Sequence, residues 1–395
     1  SARIGTYSLL ARTASVVFTY GVHVTHRASP FFFAVCRPLC NKMNHKKTQG
    51  ENVIYDNVLE ALGHTPLVRL KRMVEPDMAQ ILVKYEAVNV GGSIKTRTAA
   101  MMIEEAEARG DIGPGSIIVE PTSGNQGIGL ALICAVKGYE ARIIMPDSVS
   151  EERRRLVEHY GATTIIVHDE GDIGAAIDEC IRIAQEMAAE DPRVYVPQQF
   201  ENIDNLRAHR NHTALEIAED AGCHIHGFVS GIGTGGTISG IGQTLKRLYP
   251  DIEIWAVEPE NAAILSGGGI GSHLQMGIGD GLIPSILDQK IYDDICVISD
   301  GEALQTARDL AREEGLMCGI SSGTNVAAAR RLAKKLGPGK TVVTVLPDTG
   351  ERYFSTPLFQ QADASVREDT VDAADAADVV DAAARSSASS TEKKR

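Results

Sequence analysis

The feature that most constrains this chain is a regular alternation of apolar runs with amphipathic stretches, from about residue 51 to residue 359. ILVKYE, SIIVEP, ARIIMP, TTIIVH, GFVSG, EIWAVEP, ICVIS and TVVTVLP all read as buried strands. A strand that is apolar on both faces must be covered on both, as in a parallel sheet. Between the runs, TAAMMIEEAEARG and EERRRLVEHYG show helical spacing. Ser148 precedes the second, with Glu151 three residues on, which is the spacing of a capping box. Strands that alternate with helices predict an α/β fold with largely parallel sheet.

The ends of the chain differ from this middle. Residues 1–50 hold seven Lys or Arg and no acid, which leaves 32 basic against 52 acidic residues in the rest. Two readings stand for residues 1–42, an organellar transit peptide or translation from a start upstream of the native one, and the second is preferred. Residues 361–395 repeat Asp among Ala and Val, from Asp369 to Asp381, and then run to Ser and a basic end. That composition predicts a disordered acidic tail. The net charge of -13 argues against a nucleic-acid surface. No apolar run reaches membrane-spanning length. The seven cysteines form no C-x-x-C pair, which argues against a metal site or disulfide framework and for a reducing, cytoplasmic setting, with most of them buried filler.

Chemistry is expected where strands end, because ligands of open α/β sheets bind there. Three such ends carry glycine and small polar residues. In Asn89-Val-Gly-Gly-Ser-Ile-Lys95-Thr-Arg97, a lysine opens a helix, where the helix dipole disfavours its charged form and leaves an amine able to attack a carbonyl. Pro121-Thr122-Ser123-Gly124-Asn125-Gln126-Gly127 supplies more hydroxyl and amide groups than a helix cap needs and reads as an anion loop. Gly231-Ile-Gly233-Thr234-Gly235-Gly236-Thr237 offers unhindered N–H groups and two hydroxyls to a phosphate. Gly231, Gly233 and Gly236 also spell G-x-G-x-x-G, with Glu258 ending the next strand, so an NAD-dependent oxidoreductase competes. A monophosphate is preferred, since a cofactor with a phosphate, an aldehyde and a ring hydroxyl would use all three turns.

From about Val53 to Phe359 the chain resembles cysteine synthase, or O-acetylserine sulfhydrylase, of the fold type II pyridoxal-phosphate family. The motifs GHTPLVRL, NVGGSIKTR, EPTSGNQGIGLA, SGIGTGGTISG, GIGDGLIP, GISSGTN and LPDTGERYFST carry the resemblance, in family order. It implies pyridoxal 5'-phosphate held as a Schiff base on Lys95, with Gly233, Thr234, Gly235, Gly236 and Thr237 around the phosphate. Asn125 is then expected at the ring hydroxyl and Thr349 at the ring nitrogen. Thr122, Ser123, Gln126 and Gln199 are expected at the substrate carboxylate. A hydroxyl at Thr349 does not keep the ring nitrogen protonated, which suits prompt loss of a β-substituent. The implied reaction makes L-cysteine from O-acetyl-L-serine and sulfide through an aminoacrylate. Cystathionine β-synthase-type replacement and cysteine desulfhydration are the alternatives.

The resemblance also implies two open α/β domains of the tryptophan synthase β type. The larger, cofactor-binding domain would be residues 51–87 plus 205–360, and the smaller, mobile one 88–204. A homodimer, and docking of a serine acetyltransferase C-terminal tail, are further expectations. The chain departs from the family pattern at Val90, Thr96, Gln126 and Asp280, which stand where Pro, Asp, Thr and Ala are usual. Asp280 has two readings, an outward turn residue or an acid/base for the incoming nucleophile.

Overall fold

The computed structural model describes residues 54–122, 124–169 and 173–360. The N-terminal extension, the acidic tail and Ser123 lie outside the described residues. In chain order the elements are β1 (Leu67–Arg69), β2 (Gln80–Tyr85), α1 (Lys95–Arg109), β3 (Ile117–Pro121), α2 (Asn125–Lys137), β4 (Glu140–Pro146), α3 (Glu151–His159) and β5 (Thr163–Val167). There follow α4 (Ile173–Glu190), β6 (Val194–Tyr195), α5 (Ile203–Ala208), a π turn (His209–Thr213), α6 (Ala214–Ala221), β7 (Gly227–Gly231) and α7 (Gly236–Leu248). The last are β8 (Glu253–Pro259), β9 (Asp294–Ile298), α8 (Asp300–Glu314), α9 (Ile320–Leu336) and β10 (Thr341–Leu346).

All eight apolar runs form strands. They lie in two sheets, one ordered β1-β2-β10-β7-β8-β9 and the other β5-β4-β3-β6. Every pairing between these strands is parallel except β1 with β2. The central strand β10 shows why such runs read as apolar throughout. Val342 and Leu346 pack with Leu332 and Ala333 of α9 on one face. Val343 and Val345 pack with Ile238 and Ile241 of α7 on the other. Side chains of a strand alternate between faces, so two covered faces need an unbroken apolar sequence.

One expectation changes on contact with the structure, and two details are added to others. Helix α3 begins at Glu151 with Ser150 as its N-cap, not Ser148, and no side chain caps it. Ser150 Oγ instead donates to the Arg352 carbonyl at 3.4 Å, so a tertiary contact replaces the local box. Lys84, inside an apolar run, is fully buried, with Nζ donating to the Thr65 carbonyl at 2.6 Å and paired with Glu216 at 2.9 Å. Cys223 is exposed, whereas Cys134, Cys180, Cys296 and Cys318 are buried as filler. No described helix is long and apolar enough to cross a membrane.

Candidate active site

The lysine turn is built by its neighbours. Asn89 Oδ1 accepts from Val90 N at 2.9 Å and Gly63 N at 3.0 Å. Gly91 and Gly92 then take left-handed φ of 74° and 69°, which a side chain resists. Space is short as well: a Cβ on Gly92 would lie 3.0 Å from the Arg352 guanidinium and 3.3 Å from Thr349 Cγ2. The segment after β10 closes over the turn, with Thr349 N donating to Gly92 O at 3.1 Å and Ile94 N to Pro347 O at 2.8 Å. Lys95 is thus set at the first position of α1. Burial pushes its amine below the ordinary lysine value, opposed by the carboxyls of Asp280 and Glu120. Two residues on, Arg97 is forked between Glu86 (2.8 and 3.0 Å) and Glu216 (2.7 and 2.7 Å). This buried network anchors the start of α1 and was not read from the sequence.

The second turn joins β3 to α2. Thr122 is buried, and Gln199 Nε2 donates to its hydroxyl at 3.3 Å across 77 positions. Gln126 Oε1 accepts from Thr98 Oγ1 at 2.7 Å. Its Nε2 is buried without a partner among the described residues. Asn125 has both amide atoms engaged: Nδ2 donates to Asp348 Oδ2 at 2.6 Å, and Oδ1 accepts from Arg352.

The third turn joins β7 to α7. Gly235 has φ of 78°, and a Cβ there would lie 2.8 Å from Leu287 Cβ. On Gly233 a Cβ would lie 2.4 Å from the Gly277 carbonyl oxygen and 3.3 Å from Asp280 Oδ2. Segment 277–281 therefore lies against the turn. Thr234 Oγ1 accepts from Asn205 Nδ2 at 2.9 Å, which leaves its proton free to donate. Thr237 Oγ1 meets His209 Nε2 at 3.3 Å, and His209 Nδ1 meets Thr213 Oγ1 at 3.1 Å. Burial holds His209 well below its ordinary value, helped by the charges of Lys95, Arg97 and His212. His209, carried on the π turn, is a second site residue that the sequence reading missed.

The three turns converge. Lys95 lies within electrostatic reach of Asp280, Glu120 and His209. Asp280 in turn touches the position of Gly233, and His209 touches Thr237. Lys95, Asn125, Gly233, Thr237, Asp280 and Thr349 each keep partial solvent access beside buried neighbours, as the lining of a cleft does. Burial pushes the Asp280 carboxyl up, against the pull of Lys95 and His273. Thr349 N-caps the turn Gly350–Tyr353 without spending its hydroxyl on a capping bond.

The dinucleotide reading fails on Glu258. Its carboxylate accepts from Leu265 N at 2.7 Å, Ser266 N at 3.0 Å and Ser266 Oγ at 2.9 Å, so its own chain occupies the place a ribose would need. The residues present do fit a small phosphate-bearing cofactor. The first turn of α7 offers N–H groups that no helical carbonyl receives, with Thr234 and Thr237 beside them.

A desolvated lysine opening one helix and a threonine-bearing glycine turn opening another are the groups an enzyme for a phosphorylated carbonyl cofactor needs. Residues 58–348 match the family described as pyridoxal-phosphate dependent enzyme. The cysteine synthase of Staphylococcus aureus is 47% identical over 309 residues, covering 78% of this chain and 98% of the relative. The crystal structure of cysteine synthase from Entamoeba histolytica is 37% identical with a TM-score of 0.75, covering 80% of this chain and 94% of that one. The O-acetylserine dependent cystathionine beta-synthase of Helicobacter pylori is 35% identical with a TM-score of 0.73, covering 78% and 100%. The chain belongs to the pyridoxal-phosphate dependent enzymes, among the cysteine synthases of fold type II.

Proposed function

We propose that this enzyme makes L-cysteine from O-acetyl-L-serine and sulfide by replacement at the β-carbon, with Lys95 as the catalytic amine. The observation that carries this reading is the placement of Lys95: a desolvated amine at a helix start, within electrostatic reach of Asp280, which itself lies against the glycine turn at Gly233. When bound, pyridoxal phosphate supplies an aldehyde for that amine and an electron-accepting ring, whose pull a hydroxyl at Thr349 leaves moderate.

The chain's own residues do the rest. Gly233 to Thr237 hold the phosphate through N–H groups and hydroxyls. Thr122, Ser123, Gln126 and Gln199 receive the substrate carboxylate and fix the α-carbon before Lys95. Neutral Lys95 takes the proton from the α-carbon, acetate leaves the β-carbon, hydrosulfide bonds there, and Lys95 returns the proton. The depressed basicity of Lys95 suits it to both transfers.

A second reading, replacement with a larger thiol, is favoured by Asp280. A carboxyl of raised pKa beside the cofactor turn can take the proton of an incoming thiol. Its likeness to the Helicobacter pylori enzyme keeps that reading in view. The test is the purified protein's visible absorption, compared with Lys95→Ala, followed by turnover of O-acetyl-L-serine with sulfide or homocysteine. Absorption that survives Lys95→Ala unchanged defeats the assignment.

A further inference from the structure

Gln199 is aimed by something other than its own element. It follows β6, a strand of two residues, too short to fix a side chain four positions on. Yet its amide reaches Thr122 from a buried position. Glu120, the penultimate residue of β3, makes the difference. Glu120 is 1% exposed, and its Oε2 accepts from Gln198 N at 2.9 Å while its Oε1 accepts from Gln199 N at 3.0 Å.

The tie works against resistance. Gln198 has φ of 59°, a left-handed conformation that disfavours a residue with a side chain. A carboxyl taken out of water is itself costly. Burial pushes it up to about 7, against the pull of Gln199 N, Gln198 N and then the charge of Lys95. Strain and a desolvated acid in one spot are the marks of a functional constraint more than of a stability device. The other end of the same residue is gripped too: Asn205 Nδ2 donates to Gln199 O at 2.8 Å and to Thr234 Oγ1 at 2.9 Å. Gln199, with Asn205, thus links the strand that bears the carboxylate loop to the phosphate turn.

We propose that Glu120 is a positioning residue for the amino-acid donor: by holding the N–H groups of Gln198 and Gln199 it aims the Gln199 amide, with Thr122, at the donor's carboxylate. This rests on the reading of the cleft given above. It places a determinant of donor affinity outside the residues that touch the donor.

The test is a double-mutant cycle on the holoenzyme with O-acetyl-L-serine and sulfide. Glu120→Gln can accept only one of the two N–H bonds, and KM for O-acetyl-L-serine is expected to rise on the order of tenfold with kcat within about threefold. The cofactor's absorption should stay as in the wild type. Gln199→Ala alone should raise KM as well, and the double variant should be no worse than Gln199→Ala, because Glu120 acts through Gln199. Losses that multiply in the double variant, an unchanged KM, or a fall confined to kcat would overturn the role. If Glu120→Gln does not fold, Glu120→Asp, which keeps the charge and reaches one N–H, takes its place in the cycle. A wild-type protein that shows no turnover of O-acetyl-L-serine defeats the functional reading and this inference together. Turnover with a multiplicative cycle defeats the inference alone.

Discussion

Asn125 donates its side-chain amide to Asp348 Oδ2 across 2.6 Å, joining positions 223 apart in the chain. The same carboxylate oxygen accepts from the Tyr353 hydroxyl at 2.7 Å. Arg352, which is 3% exposed, donates both to Asn125 Oδ1 and to the Gly91 carbonyl. The start of α2, the lysine turn and the segment after β10 are therefore one buried polar assembly. For Asn125 to meet a ring hydroxyl, its amide must share or give up Asp348.

That assembly has a measurable worth. In Asp348→Ala, the Asn125 amide and the buried Tyr353 hydroxyl lose their acceptor, and the neighbouring Arg352 guanidinium loses a nearby opposite charge. The expected loss is about 3 kcal/mol of unfolding free energy. A urea midpoint within error of the wild type would show that the network contributes nothing.

Gly235 tests the phosphate turn. Alanine there meets both a left-handed φ of 78° and Leu287 Cβ at 2.8 Å. Gly235→Ala should weaken retention of pyridoxal phosphate by at least about tenfold, since a strained turn of about 1–3 kcal/mol no longer presents its N–H groups. Equilibrium dialysis against the cofactor reads this directly, and unchanged retention counts against the turn as its anchor.

Glu216 gives the protein an acid limit. Burial alone would raise its carboxyl, but hydrogen bonds and charge from Arg97 and then Lys84 hold it down at about 2. The unfolded chain takes up this proton near 4.5, so the stabilisation is present above that pH and is lost as pH falls toward 2. The full effect is about 3 kcal/mol. Unfolding free energies of wild type and Glu216→Gln should converge as pH drops through that window, and parallel curves would contradict the linkage.

Asp280 separates the two acceptors. Asp280→Ala removes the carboxyl beside Gly233 and leaves Lys95 in place. Cofactor absorption should persist, and the ratio of homocysteine to sulfide turnover should fall about tenfold, the scale of a lost proton acceptor. An unchanged ratio assigns Asp280 to the turn alone.

Much of this was legible because the fold writes itself in long runs. β10 is apolar at four of its six positions and buried at all six because both its faces are covered, and such strands need no tertiary knowledge to find. β1 and β6, at three and two residues, are too short to show a period. The three turns announced themselves through glycine clusters after strands. What joins them did not. His209 sits on a π turn that no residue pattern marks, and Glu120 looked like the end of an apolar run. Ser148 had the right spacing for a cap, yet the helix began three residues later, at Glu151, and the N-cap hydroxyl of Ser150 turned to Arg352 instead. Local patterns decide elements, whereas contacts between distant segments decide what a polar side chain does.

Lys84 offers a practical use. With no solvent access and three oxygen partners, its amine is beyond the reach of acylating reagents in the native protein. Modification at this one position would accumulate only as fast as β2 is uncovered, so peptide mass spectrometry of Lys84 becomes a built-in clock for that opening.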